Sequence, residues 1–249
     1  MNKFFLGKSQ IITFMSLEIL MMIRNKKPRQ NFCQMIMVYI FLTIILFAGK
    51  IRLPFDPVSV NFFDNFLLSA LSGVFIFLHG LFLLTWESSY FEGLNAGNFD
   101  VKSFFKAKYY LLLIGTLPFS LLTALILIFL GKKVLFSYAS ICIFNTGCSV
   151  FIIILYSLFN NERASLNRNI FFNDEGYGMW QYFFMIILIA LPGIILHLLS
   201  LFMHKYFTII SLCCFGAFSF IFQKIWISAI MKIYSKRKYK ILSRFNKTA

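Results

Sequence analysis

The chain has little negative charge and few of the residues that catalytic sites use. Its 249 residues include nine Asp and Glu and three His, against 24 Lys and Arg. An enzyme working inside a membrane would need a pattern such as H-E-x-x-H, G-x-S-x-G or paired carboxylates in an apolar segment. The sequence contains none of these. It therefore disfavours an intramembrane enzyme, and we predict that the chain is not catalytic by itself.

The chain has five cysteines, and their placement disfavours both a disulfide framework and a metal site. The five Cys residues are odd in number and all fall within apolar runs, so a disulfide framework is not expected. Cys213 and Cys214 are adjacent and have no His or carboxylate close by in sequence, which disfavours a metal site. We predict that the thiols are small buried hydrophobic groups and that the chain holds no metal or other cofactor.

Apolar residues make up most of what is present. They amount to 59% of the chain and include 34 Phe, which excludes an ordinary soluble globule. The composition predicts an all-α integral membrane protein. In a soluble chain the net charge of +15 would indicate nucleic acid. In a membrane protein, charge follows topology instead, so we predict no nucleic-acid partner.

Six apolar stretches are close to the length of about 20 residues that a membrane helix requires. A preceding segment, 9–29, is too short and too polar to span and predicts an amphipathic helix in the membrane interface. A cleaved signal peptide is the alternative, but R-N-K-K-P-R follows the apolar part where small residues would be expected. We predict one transmembrane domain over 1–249, with spans at 32–48, 66–86, 109–130, 134–159, 180–203 and 207–231.

The distribution of Lys and Arg predicts the orientation of these spans. With the N-terminus in the cytoplasm, most of the 24 basic residues lie in cytoplasmic segments. Both termini are then cytoplasmic. The basic N-terminal segment and the basic tail, 232–249, are expected to contact anionic lipid. The exceptions on the outer side are Lys50, Arg52, Lys132, Lys133 and Lys205.

A polar stretch, 86–110, interrupts the apolar runs between the second and third spans. Gly93 and Gly97 disfavour a continuous helix, and Asp100 is placed to cap a helix that begins at Val101. The stretch predicts a short cytoplasmic helix, a turn and a capped long helix. A simpler alternative is that its charges and aromatic residues only mark membrane boundaries. Its charged residues are Glu87, Glu92, Asp100, Lys102, Lys106 and Lys108.

This order of parts resembles the permease of an ABC-2-type exporter. Such permeases commonly carry an acidic residue, a Gly-Thr, a Pro-Val-Ser and a Gly-Lys before the third span. With Glu87 on the family's acid, 98–100 falls on the Pro-Val-Ser and Lys108 on the lysine. The sequence departs from the pattern with Ser89 in place of the Gly and Asn98 in place of the Pro. The short outer turn at 204–206 also leaves no room for re-entrant helices before the last span.

A second resemblance covers most of the chain. L-E-I-L-M-M-I-R-N-K-K-P-R (17–29), W-E-S-S-Y-F-E-G-L (86–94) and K-A-K-Y-Y-L (106–111) are similar to phrases in the second half of an uncharacterised family of double-length bacterial permease-like proteins. The resemblance implies a bacterial inner membrane location and a protein equivalent to one half of such a permease. Pairing with a second copy, or with a homologous half, would complete it.

The resemblance also implies a partner. In ABC exporters, separate ATPase subunits bind ATP and Mg²⁺, and this chain has no complete phosphate-binding loop of its own. We expect an ABC ATPase to dock on a coupling helix near 88–97, with acidic residues facing basic groups and aromatic residues giving apolar contact. The expected coupling residues are Glu87, Tyr90, Phe91, Glu92, Leu94, Phe99, Asp100 and Lys108.

Two questions stay open at this point. His79 and His197 lie in apolar spans and are candidate pathway residues, although the sequence favours packed, hydrogen-bonded histidines over a transport role. The few polar residues of the spans favour an amphipathic or lipidic substrate over an ion. A non-transporting membrane scaffold or assembly subunit is the alternative function, because it needs only the spans and the cytoplasmic element.

Overall fold

The computed structural model describes residues 9–52, 62–88, 91, 93, 99–130, 132–159, 166 and 179–247. Within these ranges the chain is helical and has no β-strand, which confirms the predicted all-α class. A 3-10 helix, Thr85–Glu87, follows α3, and a π-helix, Asn145–Ser149, joins α5 to α6. The α-helices are α1 (Gln10–Arg24), α2 (Lys26–Arg52), α3 (Phe62–Gly80), α4 (Val101–Leu130), α5 (Lys132–Phe144), α6 (Val150–Ser157), α7 (Met179–Ser200), α8 (Lys205–Ile221) and α9 (Gln223–Lys247).

The described helices are those of a multi-pass membrane protein. Five segments are long and apolar enough to cross a membrane, and a bent helix pair would make a sixth crossing. The five segments are Lys26–Ala48, Phe62–Glu87, Val101–Phe129, Val134–Ser157 and Trp180–Ser200.

The helix α3 lies at the centre of the bundle. It packs against α2, α4, α5 and α7, and most of its side chains are buried. In contrast, α2 and α7 expose many large apolar side chains, such as Phe41 and Ile187. Helices such as α2 and α7, which are apolar on all sides, are stable only if lipid or protein covers their exposed faces. The central position of α3 places its C-terminal end, and the 3-10 helix that follows, inside the protein.

The sixth predicted span, 207–231, consists of two helices. Phe222 adopts φ −89° and ψ 14° between α8 and α9, and the two helices are bent by 66° at this residue. Because an α-helix needs ψ near −42°, Phe222 ends α8 and redirects the chain. The structure therefore divides the predicted span between two helices, which a bent pair could still combine into one crossing. Residues 223–231 instead begin α9, which continues through the basic segment to Lys247.

The predicted interfacial helix, 9–29, ends earlier than expected. Asn25 has ψ 142°, and its side-chain amide donates a hydrogen bond to the Met21 carbonyl at 3.0 Å, so α1 stops at Arg24 and 26–29 belong to α2. The buried side of α1 carries Glu18 and Met21. Ile12 and Ile23 are exposed, as on a helix that lies in a membrane interface. The interfacial position itself stays a prediction.

Candidate functional site

Lys108 is the centre of a cluster of buried charged groups. Its Nζ lies 2.8 Å from Oε2 of Glu18 and 2.6 Å from Oε1 of Glu87, and it also donates a hydrogen bond to the Leu83 carbonyl at 3.2 Å. Lys108 is 1% exposed, Glu18 2% and Glu87 5%. One ammonium group thus bridges two carboxylates that are shielded from solvent.

His79 adds a fourth polar group to this cluster. Its Nε2 lies 3.3 Å from Oε1 of Glu18, and its ring stacks on Phe75 with a centroid distance of 5.1 Å. The cluster of Glu18, His79, Glu87 and Lys108, which we call the ion cluster, therefore joins α1, α3, the 3-10 helix and α4. Both oxygens of Glu18 have partners in it, as a buried carboxylate requires.

Local backbone structure explains how these side chains meet. After Gly80 the chain leaves the α-helix, and the Leu83 carbonyl is directed to Lys108 before the 3-10 helix brings Glu87 to the same ammonium. Lys108 lies two turns into α4. The start of α4 is set by Asp100, whose carboxylate accepts hydrogen bonds from the backbone N–H groups of Lys102 at 3.0 Å and Ser103 at 3.2 Å. This confirms the predicted cap.

Aromatic rings hold α1 against α4 around the cluster. Phe14 meets Phe104 edge to face at 5.6 Å and Phe99 at 6.1 Å. Nζ of Lys108 lies 5.2 Å from the centroid of the Phe104 ring, which adds a cation–π interaction. The members of the ion cluster are shielded from solvent, and the low dielectric of such a buried site strengthens each ion pair within it.

The electrostatics favour an ionised Glu18. Burial alone would raise the pKa of this carboxyl, but the positive charge of Lys108 and the hydrogen bond from His79 outweigh burial and hold the pKa below its usual value. Glu18 is therefore charged at neutral pH. The paired charges give the cluster a fixed geometry, because separating a buried ion pair leaves uncompensated charge in an apolar site.

The predicted coupling residues separate into two groups in the structure. Glu87 and Lys108 are in direct contact within the ion cluster. Phe91 is also buried, and it packs edge to face against Tyr234 at 6.3 Å and Phe245 at 5.6 Å, both on α9. These three residues face the interior of the protein, so in this structure they offer no open surface to a partner.

The remaining predicted residues lie in different surroundings. Phe99 is half-buried against Phe14, whereas Asp100 is exposed. His79 belongs to the ion cluster, while His197 is exposed on α7, so the two candidate pathway histidines do not lie in one site. Tyr90, Glu92 and Leu94 lie outside the described residues.

Sequence reasoning missed Glu18. A signal was present, since Glu18 is an acidic residue within the apolar sequence I-I-T-F-M-S-L-E-I-L-M-M-I. A carboxylate at such a position either faces solvent or has a buried partner. The partners, Lys108 and His79, are far away in sequence, and nothing in the local pattern identifies them.

A second polar group lies deeper in the bundle. The Asn145 amide donates hydrogen bonds to the Ser69 carbonyl at 3.1 Å and to Oγ of Ser72 at 2.7 Å, and Oγ of Ser149 donates to its oxygen at 3.1 Å. All four residues are fully buried. Their polar groups bond to one another and tie α3 to the π-helix. Nowhere in the described part of the chain do three or more His, Cys, Asp or Glu form a group able to hold a metal ion.

The fold and this cluster define a multi-pass helical membrane protein with a buried ionic centre near one end of its bundle. The chain belongs to a family of unknown function, DUF5687, whose sequence profile matches residues 4–248. Comparison of the chain with curated proteins and with solved structures found no match.

Proposed function

We propose that this protein is the membrane-spanning permease subunit of an ABC-type exporter. ATP and Mg²⁺ are bound, and ATP is hydrolysed, by a separate ABC ATPase subunit. The observation that carries the proposal is the ion cluster, which connects both ends of the polar stretch 87–108 to α1 and α3. The stretch resembles the segment through which ABC-2-type permeases meet their ATPases.

The proposed coupling has an outer and an inner part. Asp100 and Lys102 are exposed and suit contact with a charged partner, together with Glu92 of the same stretch. The inner part is the salt bridge of Glu87 with Lys108 and of Lys108 with Glu18. Movement of the docked stretch would be transmitted to α1 and α4 as a unit, because the buried ion pairs resist separation. Phe91 would carry the same movement to α9.

The membrane arrangement follows the distribution of basic residues. We propose a location in the bacterial inner membrane with both termini and the stretch 87–108 in the cytoplasm. A second copy of the chain, or a homologous half, would complete the permease. The N-terminal basic segment and α9 would contact anionic lipid, since α9 carries basic residues and no acidic one.

The proposed substrate is amphipathic or lipidic. The polar side chains at the centre of the bundle, such as Ser69, Ser72 and Asn145, bond to one another. They therefore present few groups for coordinating an ion. An apolar substrate that moves along the exposed faces of the helices would not require such groups.

Copurification tests the proposal. The tagged chain is extracted from its native membranes in mild detergent, and proteins that accompany it are identified by mass spectrometry. We expect an ABC ATPase in stoichiometric amount from the wild type and its loss from the double charge reversal Glu92→Lys with Lys102→Glu. Lys240→Glu, which reverses an exposed charge on α9, is the matched control and should retain the ATPase.

The alternative is a non-transporting membrane scaffold, and one observation favours it. Glu87 and Phe91 are buried, as they would be in a protein whose ion cluster only stabilises the bundle. A scaffold would purify alone or with membrane proteins that are not ATPases. Either result would contradict the exporter proposal.

A further inference from the structure

An apolar cavity of about 530 Å³ lies between the ends of α6 and α7. Its volume falls within the range of about 300–1,000 Å³ that is typical of pockets for small ligands. The cavity is bordered by side chains of the candidate spans Val134–Ser157 and Trp180–Ser200, so in a membrane it would open among helices that face lipid. Its lining residues are Tyr156, Trp180, Phe183, Phe184 and Ile187.

The wall of this cavity is packed on one side and exposed on the other. Tyr156 and Phe184 stack in parallel, with ring centroids 3.8 Å apart, and hold α6 against α7. Trp180 is 82% exposed and Ile187 59%. An apolar cavity that opens toward lipid favours a flexible hydrocarbon chain over a polar ligand, because its walls offer little hydrogen bonding.

A basic group lies one turn beyond the cavity. The backbone N–H of Phe159 donates to the Tyr156 carbonyl at 2.8 Å, and the guanidinium of Arg237 lies 3.9 Å from the centroid of the Phe159 ring. Among the described residues no carboxylate pairs with Arg237, and its Nε has no hydrogen-bond partner. The helices α6, α7 and α9 contain no Asp or Glu.

The depth of these groups matches the parts of a phospholipid. Ser157 ends its candidate span and Arg237 stacks on Phe159 two residues beyond it, so in a membrane this span would place both side chains near the boundary between hydrocarbon and headgroups. An Arg that stacks on an aromatic ring can still bind a phosphate in bidentate fashion through its free edge. Lys236, Lys238 and Lys240 on the same helix add positive charge around it.

We propose that the cavity and Arg237 form a binding site for one anionic phospholipid, with an acyl chain in the cavity and the phosphate on the guanidinium. The site is separate from the ion cluster. It does not depend on the exporter proposal, because it requires only the helices and the charge that border it.

Native mass spectrometry of the full chain tests the site. The protein is purified in detergent and titrated with phosphatidylglycerol or, in parallel, with phosphatidylcholine. We expect one phosphatidylglycerol to be retained in preference to phosphatidylcholine. Arg237→Gln should weaken this binding roughly five- to tenfold. Lys236→Gln, which removes a neighbouring exposed charge that does not stack on Phe159, should weaken the binding much less than Arg237→Gln does.

A second pair of variants tests the cavity. Ile187→Trp fills it, and we expect loss of the retained lipid, whereas Ile186→Trp places the same bulk on an adjacent exposed position outside the lining. Size-exclusion chromatography checks that both variants fold. The proposal would be overturned if the wild type retained the two lipids equally. It would also be overturned if Arg237→Gln and Lys236→Gln bound phosphatidylglycerol equally, or if the two Trp variants did.

Fluorescence gives a second readout of lipid at the cavity, because Trp180 is one of its lining residues. Phosphatidylglycerol with brominated acyl chains, as a minor component of phosphatidylcholine vesicles, should quench Trp180 more than brominated phosphatidylcholine at the same fraction. Subtracting the signal of Trp180→Phe isolates the contribution of this residue. Equal quenching by the two brominated lipids would contradict a site for anionic lipid.

Discussion

At the residue scale, the stability of the ion cluster depends most on Lys108, because its one ammonium group pairs with two buried carboxylates. Glu18 keeps its partner His79 if Lys108 is removed, but both Glu18 and Glu87 then lose their ammonium partner. In such a site the interaction between the charges roughly offsets their desolvation, whereas an unpaired charge is strongly destabilising. This asymmetry makes the cluster testable by substitution.

Lys108→Met should destabilise the protein by about 3–5 kcal/mol, since it leaves Glu18 and Glu87 facing each other without a cation. The matched control is the triple variant Lys108→Met, Glu18→Gln and Glu87→Gln, in which no charge is left unpaired. We expect its stability to return toward that of the wild type. Thermal unfolding in detergent measures both. If Lys108→Met were as stable as the wild type, the ion pairs would contribute nothing to the free energy of unfolding.

The lowered pKa of Glu18 sets a pH dependence for the docking of α1. The Glu18 carboxylate binds a proton more weakly in the docked state than it would in a detached α1. Its contribution to the free energy of docking is therefore complete above pH 4.5, the ordinary pKa of the group. That contribution is lost as the pH falls below 4.5 through the lowered pKa. The protection of α1 against hydrogen exchange, taken relative to the intrinsic exchange rate at each pH, should therefore stay constant from neutral pH down to about 5 and fall only in more acidic solution. Glu18→Gln should lack the acidic step. Release of α1 near neutral pH would contradict the assignment.

At the scale of elements, the π-helix and α8 cross at an unusually short distance. A Cβ added at Gly147 would lie 2.2 Å from the Gly216 carbonyl oxygen, and one added at Gly216 would lie 2.5 Å from the Ile143 carbonyl oxygen. Contacts this close between backbones require glycine and are typical of membrane helix packing. They hold α8 in place before the bend at Phe222.

Gly216→Ala should therefore separate the two elements and lower the stability by about 1–3 kcal/mol, because the clash is with backbone that cannot rotate away. Gly193→Ala is the control. Its added Cβ would meet Asn65 at 3.5 Å, an ordinary contact, so we expect little change. Thermal unfolding compares the two variants. An equal effect of both would show that the crossing is not the sensitive contact.

The elements also show which features hydropathy can predict. The positions of the main apolar helices and the cap at Asp100 follow from local sequence, because each depends on neighbouring residues. The break at Phe222 and the burial of Glu18 do not. Phe222 has no Pro or Gly beside it to mark a bend, and Glu18 is buried only because α4 brings Lys108 to it. Such pairings are tertiary and leave no periodic signal.

At the scale of the whole molecule, the ion cluster and the Phe91 contacts connect the stretch 87–108 with α1, α3, α4 and α9. These contacts lie at the same end of the bundle as the proposed ATPase contact. Sequence reasoning anticipated Glu87 and Lys108 as members of one site through the permease resemblance. It did not predict that they face inward, since hydropathy places charges at a membrane boundary without specifying their partners.

ATP hydrolysis by the complex that copurifies with the tagged chain, reconstituted into lipid vesicles, tests the central claim most directly. The account predicts hydrolysis with the wild type. With the charge-free triple variant, the ATPase should remain bound but hydrolyse more slowly, because its docking surface is intact and the inner link is absent. Absence of ATP hydrolysis from the wild-type complex would contradict the exporter, and an unchanged rate in the triple variant would contradict the coupling role of the ion cluster.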